Sequence, residues 1–105
     1  MKQYTTPEQT AKLIELGFEK PKGLADAEPS SGKWVRPAYS IGELIEMLPM
    51  IIGKDYGYTL SIYMDGAWWI VAYDNGDEYT TLYSITRVEL VDALFDMVVK
   101  TKEEE

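Results

Sequence analysis

The chain has 105 residues, of which 10 are basic and 18 acidic, for a formal net charge of −8. It holds no Cys and no His, which excludes disulfides, thiolate catalysis, Cys-based zinc or iron–sulfur sites and the Ser-His-Asp and Cys-His schemes. Its Lys and Arg are scattered, so direct binding to a phosphate backbone is not expected, and its longest apolar runs are far short of a membrane span.

This length fits one domain, residues 1–105, with just enough chain to bury a core without cross-links. The first residues carry one Lys and then polar side chains, without the apolar stretch of a secretion signal. Together with the missing Cys, this points to the reducing cytoplasm.

Thr6-Pro7-Glu8-Gln9 reads [ST]-x-x-[EQ], the capping box in which a hydroxyl and a Gln or Glu satisfy each other's backbone amides. It predicts a helix over residues 7–16, with Ala11, Leu13, Ile14 and Leu16 on its apolar face and Gly17 as the C′ residue. Residues 19–37 hold Pro21, Gly23, Pro29, Ser30, Ser31, Gly32 and Pro37 and predict a long loop. Trp34 lies within it and is expected to plug the loop onto the domain.

A second box, Ser40-Ile41-Gly42-Glu43, opens a helix over residues 40–48. Ile41, Leu44, Ile45 and Leu48 fall at i, i+3, i+4 and i+7. Pro49 bars its continuation, and Met50-Ile51-Ile52 are expected as a last irregular turn.

Asp65-Gly66 is a type I′ hairpin signal between two strand-like runs. A two-residue loop pairs Met64 with Ala67, Ile62 with Trp69, Leu60 with Val71 and Tyr58 with Tyr73. One face then carries only apolar and aromatic residues, which makes it the core face. Asn75-Gly76 signals a second turn into a strand over residues 78–83. With another two-residue loop, Leu82 falls opposite Trp69, while Tyr79 and Tyr83 fall on the other face.

The third box, Thr86-Arg87-Val88-Glu89, predicts a helix from Thr86 to about Lys100. It is apolar almost all round, so it should lie across the inner sheet face. Glu89, Asp92, Asp96 and Lys100 form its one polar stripe, and residues 101–105 read as a frayed charged tail.

These elements define an α+β fold: a three-stranded antiparallel meander packed against helices in the order α-α-β-β-β-α. Its outer sheet face is the best candidate site, displaying Thr59, Ser61, Tyr63, Trp68, Ile70, Ala72, Tyr79, Thr81 and Tyr83. Tyr63 and Trp68 are expected to oppose each other directly. Exposed aromatic patches often mark interaction sites. Tyr63, Trp68, Ile70, Tyr79, Tyr83 and Trp34 are therefore the candidate interaction patch, although the loop carrying Trp34 could instead cover it, or the face could serve as a small-molecule platform. Asp74, Asp77 and Glu78 flank a turn, but their spacing does not match a calcium loop. No catalytic residue, metal or cofactor is expected.

Three stretches carry a resemblance: Tyr4 to Phe18 with its Pro7-Glu8-Gln9 opening, Tyr39 to Pro49 with Ser40-Ile41-Gly42-Glu43-Leu44, and Glu89 to Val99 with Asp92-Ala93-Leu94. They resemble small uncharacterised proteins of prophages and mobile elements in Bacteroides-type gut bacteria. Tyr39 stands where Trp often stands. The resemblance implies a phage or mobile-element accessory protein and brings no catalytic residue. The function expected is a non-catalytic interaction module with an unknown protein partner or a second copy. The alternative is an acidic inhibitor that imitates nucleic-acid charge to occupy a host nuclease or defence protein. That role needs acids along one ridge, and Glu89, Asp92 and Asp96 are the one regular row.

Overall fold

The computed structural model describes residues 1–26, 35–53, 57–76 and 80–104. In chain order the elements are α1 (Pro7–Glu15), β1 (Leu24–Asp26), β2 (Val35–Pro37), α2 (Ile41–Met47), β3 (Ile51–Ile52), β4 (Tyr58–Asp65), β5 (Trp68–Asn75), β6 (Thr80–Arg87) and α3 (Leu90–Glu103). The fold is α+β. Strands β3-β4-β5-β6 form one antiparallel sheet, and β1-β2 form a separate antiparallel ribbon.

The expected three strands and α-α-β-β-β-α order are corrected in two places. Residues 19–37 are not all loop, since Leu24 to Asp26 pair with Pro37 to Val35. Ile51 and Ile52 are not a helical turn but pair with Thr59 and Tyr58. Pro49 ends α2, and β-branched residues just beyond it favour extended backbone.

Two capping boxes form as read. Thr6 Oγ1 accepts from the Gln9 amide at 3.2 Å, and Gln9 Oε1 accepts from the Thr6 amide at 2.9 Å. Ser40 Oγ and Glu43 make the same exchange, each at 3.2 Å. Gly17 closes α1 with φ +101°, a conformation that costs Gly little. The third box does not form. Thr86 lies in β6 opposite Ile70, and α3 starts from Glu89 without a side-chain cap. The run Thr80 to Arg87 is rich in Thr, Tyr and Ile, so pairing with β5 prevails over the local cap signal. At its other end α3 continues through Glu103, so most of the expected frayed tail is helix.

Glu43 does more than cap. Its carboxylate also accepts from the Lys22 amide at 3.0 Å and the Gly23 amide at 3.1 Å, clamping the approach to β1 onto the start of α2. Partial burial pushes this carboxyl up, but the amides of Lys22, Ser40 and Gly23 and the Ser40 hydroxyl together hold it below its ordinary value. A lowered native value means that the charged form stabilises the fold. The stability of the parent over Glu43→Gln should therefore be fully present above the ordinary Glu value of about 4.3. It should be lost as pH falls through the lowered native value. Urea melts of both proteins across the acid range check this; a gap independent of pH would contradict it.

The β4–β5 register is two residues away from the expected one. Asp65 pairs with Trp68, Met64 with Trp69, Ile62 with Val71 and Leu60 with Tyr73. The loop is Gly66-Ala67, with Gly66 at φ +62°, and Asp65 remains in the strand. A shift of two leaves every side chain on its expected face, so the alternation could not discriminate between the registers. On the other side, Tyr73 pairs with Tyr83 and Trp69 with Arg87, not with Leu82. The register slips between Tyr73 and Asp74, leaving Leu82 as the extra residue of a bulge.

All three helices contribute to one core on the inner sheet face. α3 packs against β5, β6 and α2, and Val71 and Tyr73 of β5 are buried with Val91, Leu94, Met97 and Val98. Leu13 of α1 and Leu44 of α2 complete this layer. Tyr73 meets Tyr83 edge to face at 6.4 Å and donates to the Pro49 carbonyl at 2.8 Å.

The N-terminal segment is tied in by a hydroxyl chain. Thr10 Oγ1 donates to the Thr6 carbonyl at 2.9 Å, so its only proton is used. Thr5 Oγ1 therefore donates to Thr10 Oγ1 at 2.7 Å and accepts from the Tyr39 amide at 3.0 Å. Buried Thr5 is thus fully satisfied, and so is the polar entry to α2.

Candidate functional site

Strand alternation places Thr59, Ser61 and Tyr63 of β4 beside Asp74, Ala72 and Ile70 of β5, on the face away from the helices. β6 continues this face with Thr81, Ser84 and Thr86. Among the described residues, no helix packs on it; α3 lies against β5 and β6 from the inner side. Trp68 is 50% and Tyr63 47% exposed. Ala72, between Ser61 and Ser84 at the centre of this face, is buried.

Three of the six candidate patch residues, Tyr63, Trp68 and Ile70, come together here. Tyr63 pairs directly with Ile70, and Trp68 pairs with Asp65. The expected direct Tyr63–Trp68 pair is therefore a diagonal one, still within reach of two aromatic rings. Tyr83 is corrected to the inner face, where it opposes Tyr73. The bulge at Leu82 flips the alternation relative to a regular two-residue hairpin. Tyr79 and Trp34 lie outside the described residues, as do Asp77 and Glu78. Asp74 accepts from Thr81 Oγ1 at 2.7 Å, as a cross-strand pair on the sheet.

Ile51, exposed on β3 opposite Thr59, extends the patch at one end. Met64 is also exposed, but on the opposite, helix-side face, where it pairs with Trp69 at the hairpin end of the sheet. The sequence pattern placed Met64 in the core because alternation reports a face, not whether anything covers it.

The acidic row on α3 is taken up within the chain. Glu89 accepts from the Lys2 amide at 2.8 Å. Asp92 pairs with Lys2 Nζ at 2.6 Å and accepts from Gln9 Nε2 at 2.9 Å. Partial burial pushes the Asp92 carboxyl up, but Lys2, Gln9 and the nearby Arg87 hold it below the usual range. Asp96 meets Arg87 at 2.6 Å. Its own burial outweighs that guanidinium and leaves its carboxyl above the usual range.

A cleft of about 350 Å³ opens between Phe18, Met47, Pro49, Ile52 and Tyr83, with Lys102 at its rim. Its walls are mostly apolar and offer no convergent set of polar groups for a reaction. A second, of about 400 Å³, includes Tyr39 and Glu43. The Glu43 carboxylate there is engaged by Lys22, Gly23 and Ser40, and its lowered pKa makes it a poor proton donor. No helix among the described residues is long and apolar enough to cross a membrane. No protein-family model matches the chain, and no curated protein or solved structure matches it either.

Proposed function

We propose that the chain is a non-catalytic interaction module, of phage or mobile-element origin, that binds a protein partner through its outer sheet face. The observation that supports this reading is the pair Tyr63 and Trp68, half exposed on a face against which no described helix packs. Tyr and Trp supply large contact area at low entropic cost and dominate interface energetics. Trp68 and Tyr63 are the anchors, and Ile70, paired with Tyr63, is the apolar surround.

The acidic-mimic alternative has less support. A mimic needs a ridge of free carboxylates, and here Glu89, Asp92 and Asp96 engage Lys2, Gln9 and Arg87.

The test is Trp68→Ser, alone and with Tyr63→Ser. Exposed substitutions away from packed features change stability by about 0.5 kcal/mol or less, so the melting temperature should barely move. Retention of a host partner by the immobilised parent should be lost with the double variant. A large fall in melting temperature would place these rings in packed structure, and undiminished retention would remove them from the interface. Either result sinks the reading.

A further inference from the structure

We infer that the outer edge of β6 pairs with the same strand of a second copy of the chain, in a two-fold antiparallel junction. This surface is the sheet's edge, independent of the face proposed above. β6 ends the order β3-β4-β5-β6, and among the described residues no strand lies on its far side. The opposite edge is made of β3, 2 residues long, and of the rest of β4, which β3 leaves uncovered from Ser61 to Asp65 and which ends in an acid; short strands and charged side chains are two ways proteins avoid unwanted edge pairing. β6 has 8 residues. Its sequence Thr-Thr-Leu-Tyr-Ser-Ile-Thr-Arg contains no Pro, no Lys and no acid. The bulge at Leu82 disturbs its first half, leaving Tyr83 to Arg87 in regular register with β5. The Thr86 carbonyl accepts from Arg87 Nη1 at 3.0 Å in an exposed bond, which an incoming amide can replace.

Charge and shape select a second copy as the occupant. Two chains of net charge −8 repel over most of their surfaces. β6 carries one charge, Arg87, and that guanidinium is already paired with Asp96 at 2.6 Å. Nearby Lys100 is paired with Glu104 at 3.3 Å. This edge is therefore locally neutral on an acidic molecule. Beside it, Ile85, Phe95 and Val99 lie in an open groove of about 450 Å³ between β6 and α3, with Lys12, Arg87, Asp96, Lys100 and Glu103, of both signs, around them.

In a two-fold junction, inner-face residues meet inner-face residues. With the axis near Ile85, Ile85 of one strand faces its own copy on the other and Tyr83 faces the second copy's Arg87, while the Phe95–Val99 side of α3 adjoins its symmetry mate. A lasting interface needs about 1,000 Å². The narrow strand edge supplies hydrogen bonds, and Ile85, Phe95 and Val99 supply apolar area within a charged rim. The pairing is isologous and closed, so it leaves no β6 edge free.

The test is sedimentation of the full chain with Ser84→Glu and Ser84→Lys. Ser84 is exposed, on the outer face opposite Ala72. With the axis near Ile85, two charges at position 84 come within about 10 Å, the screening length at 0.1 M salt. The parent should sediment as a dimer. Each variant alone should self-associate at least about tenfold more weakly, as like charges across an interface require. An equimolar mixture of the two should recover the dimer. Circular dichroism confirms folding, and Thr86→Glu with Thr86→Lys replaces the pair if a Ser84 variant misfolds. A monomeric parent, variants as dimeric as the parent, or a mixture that stays monomeric would each overturn the inference.

Discussion

Tyr73→Ala should destabilise the protein by about 3–5 kcal/mol, the usual cost of truncating a buried aromatic. Tyr73 is 0% exposed. It stands at the middle of the central strand β5, between Leu60 and Tyr83, and its ring meets the helical layer. Its hydroxyl, pushed up to about 12 by burial, stays protonated and donates to the Pro49 carbonyl. Tyr73→Phe keeps the ring and leaves that carbonyl without this donor, so about 1 kcal/mol should be lost. Denaturant melts of the two variants separate ring from hydroxyl. A loss under about 1 kcal/mol for the alanine variant would mean that β5 is not the centre of the core. The hairpin pattern put Trp69 on the same core face. The observed register places Trp69 between Met64 and Arg87 at the open end of the sheet, where it is only partly buried. Trp69→Ala should therefore cost clearly less than Tyr73→Ala.

Gly23→Ala should cost about 2–3 kcal/mol, in the upper part of the range for overpacking. An added Cβ would lie 2.7 Å from the Ala38 carbonyl oxygen, 3.0 Å from Glu43 Oε1 and 3.1 Å from Tyr4 Cε1. The first of these is backbone, and it is held in place because the Ala38 amide donates to the Gly23 carbonyl at 3.0 Å. Displacing Gly23 also strains the Glu43 clamp, which grips its amide at 3.1 Å. Gly42→Ala is the control. Its Cβ would meet nothing closer than Ser40 Oγ at 3.9 Å, and Ala in place of helical Gly stabilises by about 0.5–1 kcal/mol. Thermal melts of the two variants should move in opposite directions. Equal shifts would show that the close approach at Gly23 is relieved elsewhere.

Signals that act over one helical turn were legible in the chain. Thr6 and Gln9, and Ser40 and Glu43, marked two helix starts because a capping box is complete within four residues. Alternation separated Leu60, Ile62, Val71 and Tyr73 from Tyr63, Trp68 and Ile70, because side-chain direction in a strand has period two. Half of the candidate patch follows from that rule alone. Tyr83 did not follow, because one extra residue at Leu82 reverses the alternation, and a bulge leaves no fixed mark in the sequence.

Everything that depends on partners far along the chain was decided by tertiary structure. The two-residue offset of the β4–β5 register is invisible to a period-two pattern; the turn geometry at Gly66 and the packing of Tyr73 under α3 select it. Thr86 reads as a helix cap within its own four residues, but pairing with β5 holds it in a strand. The amides of Lys22 and Gly23 are 21 and 20 positions from Glu43, so no local rule could join them. The same holds for Glu89 and Asp92, whose partners Lys2 and Gln9 lie at the other end of the chain. Composition and short-range spacing determined which elements form and which faces are apolar. Only the folded chain decided which of those faces is covered, which acids are neutralised, and which strand is left with a free edge.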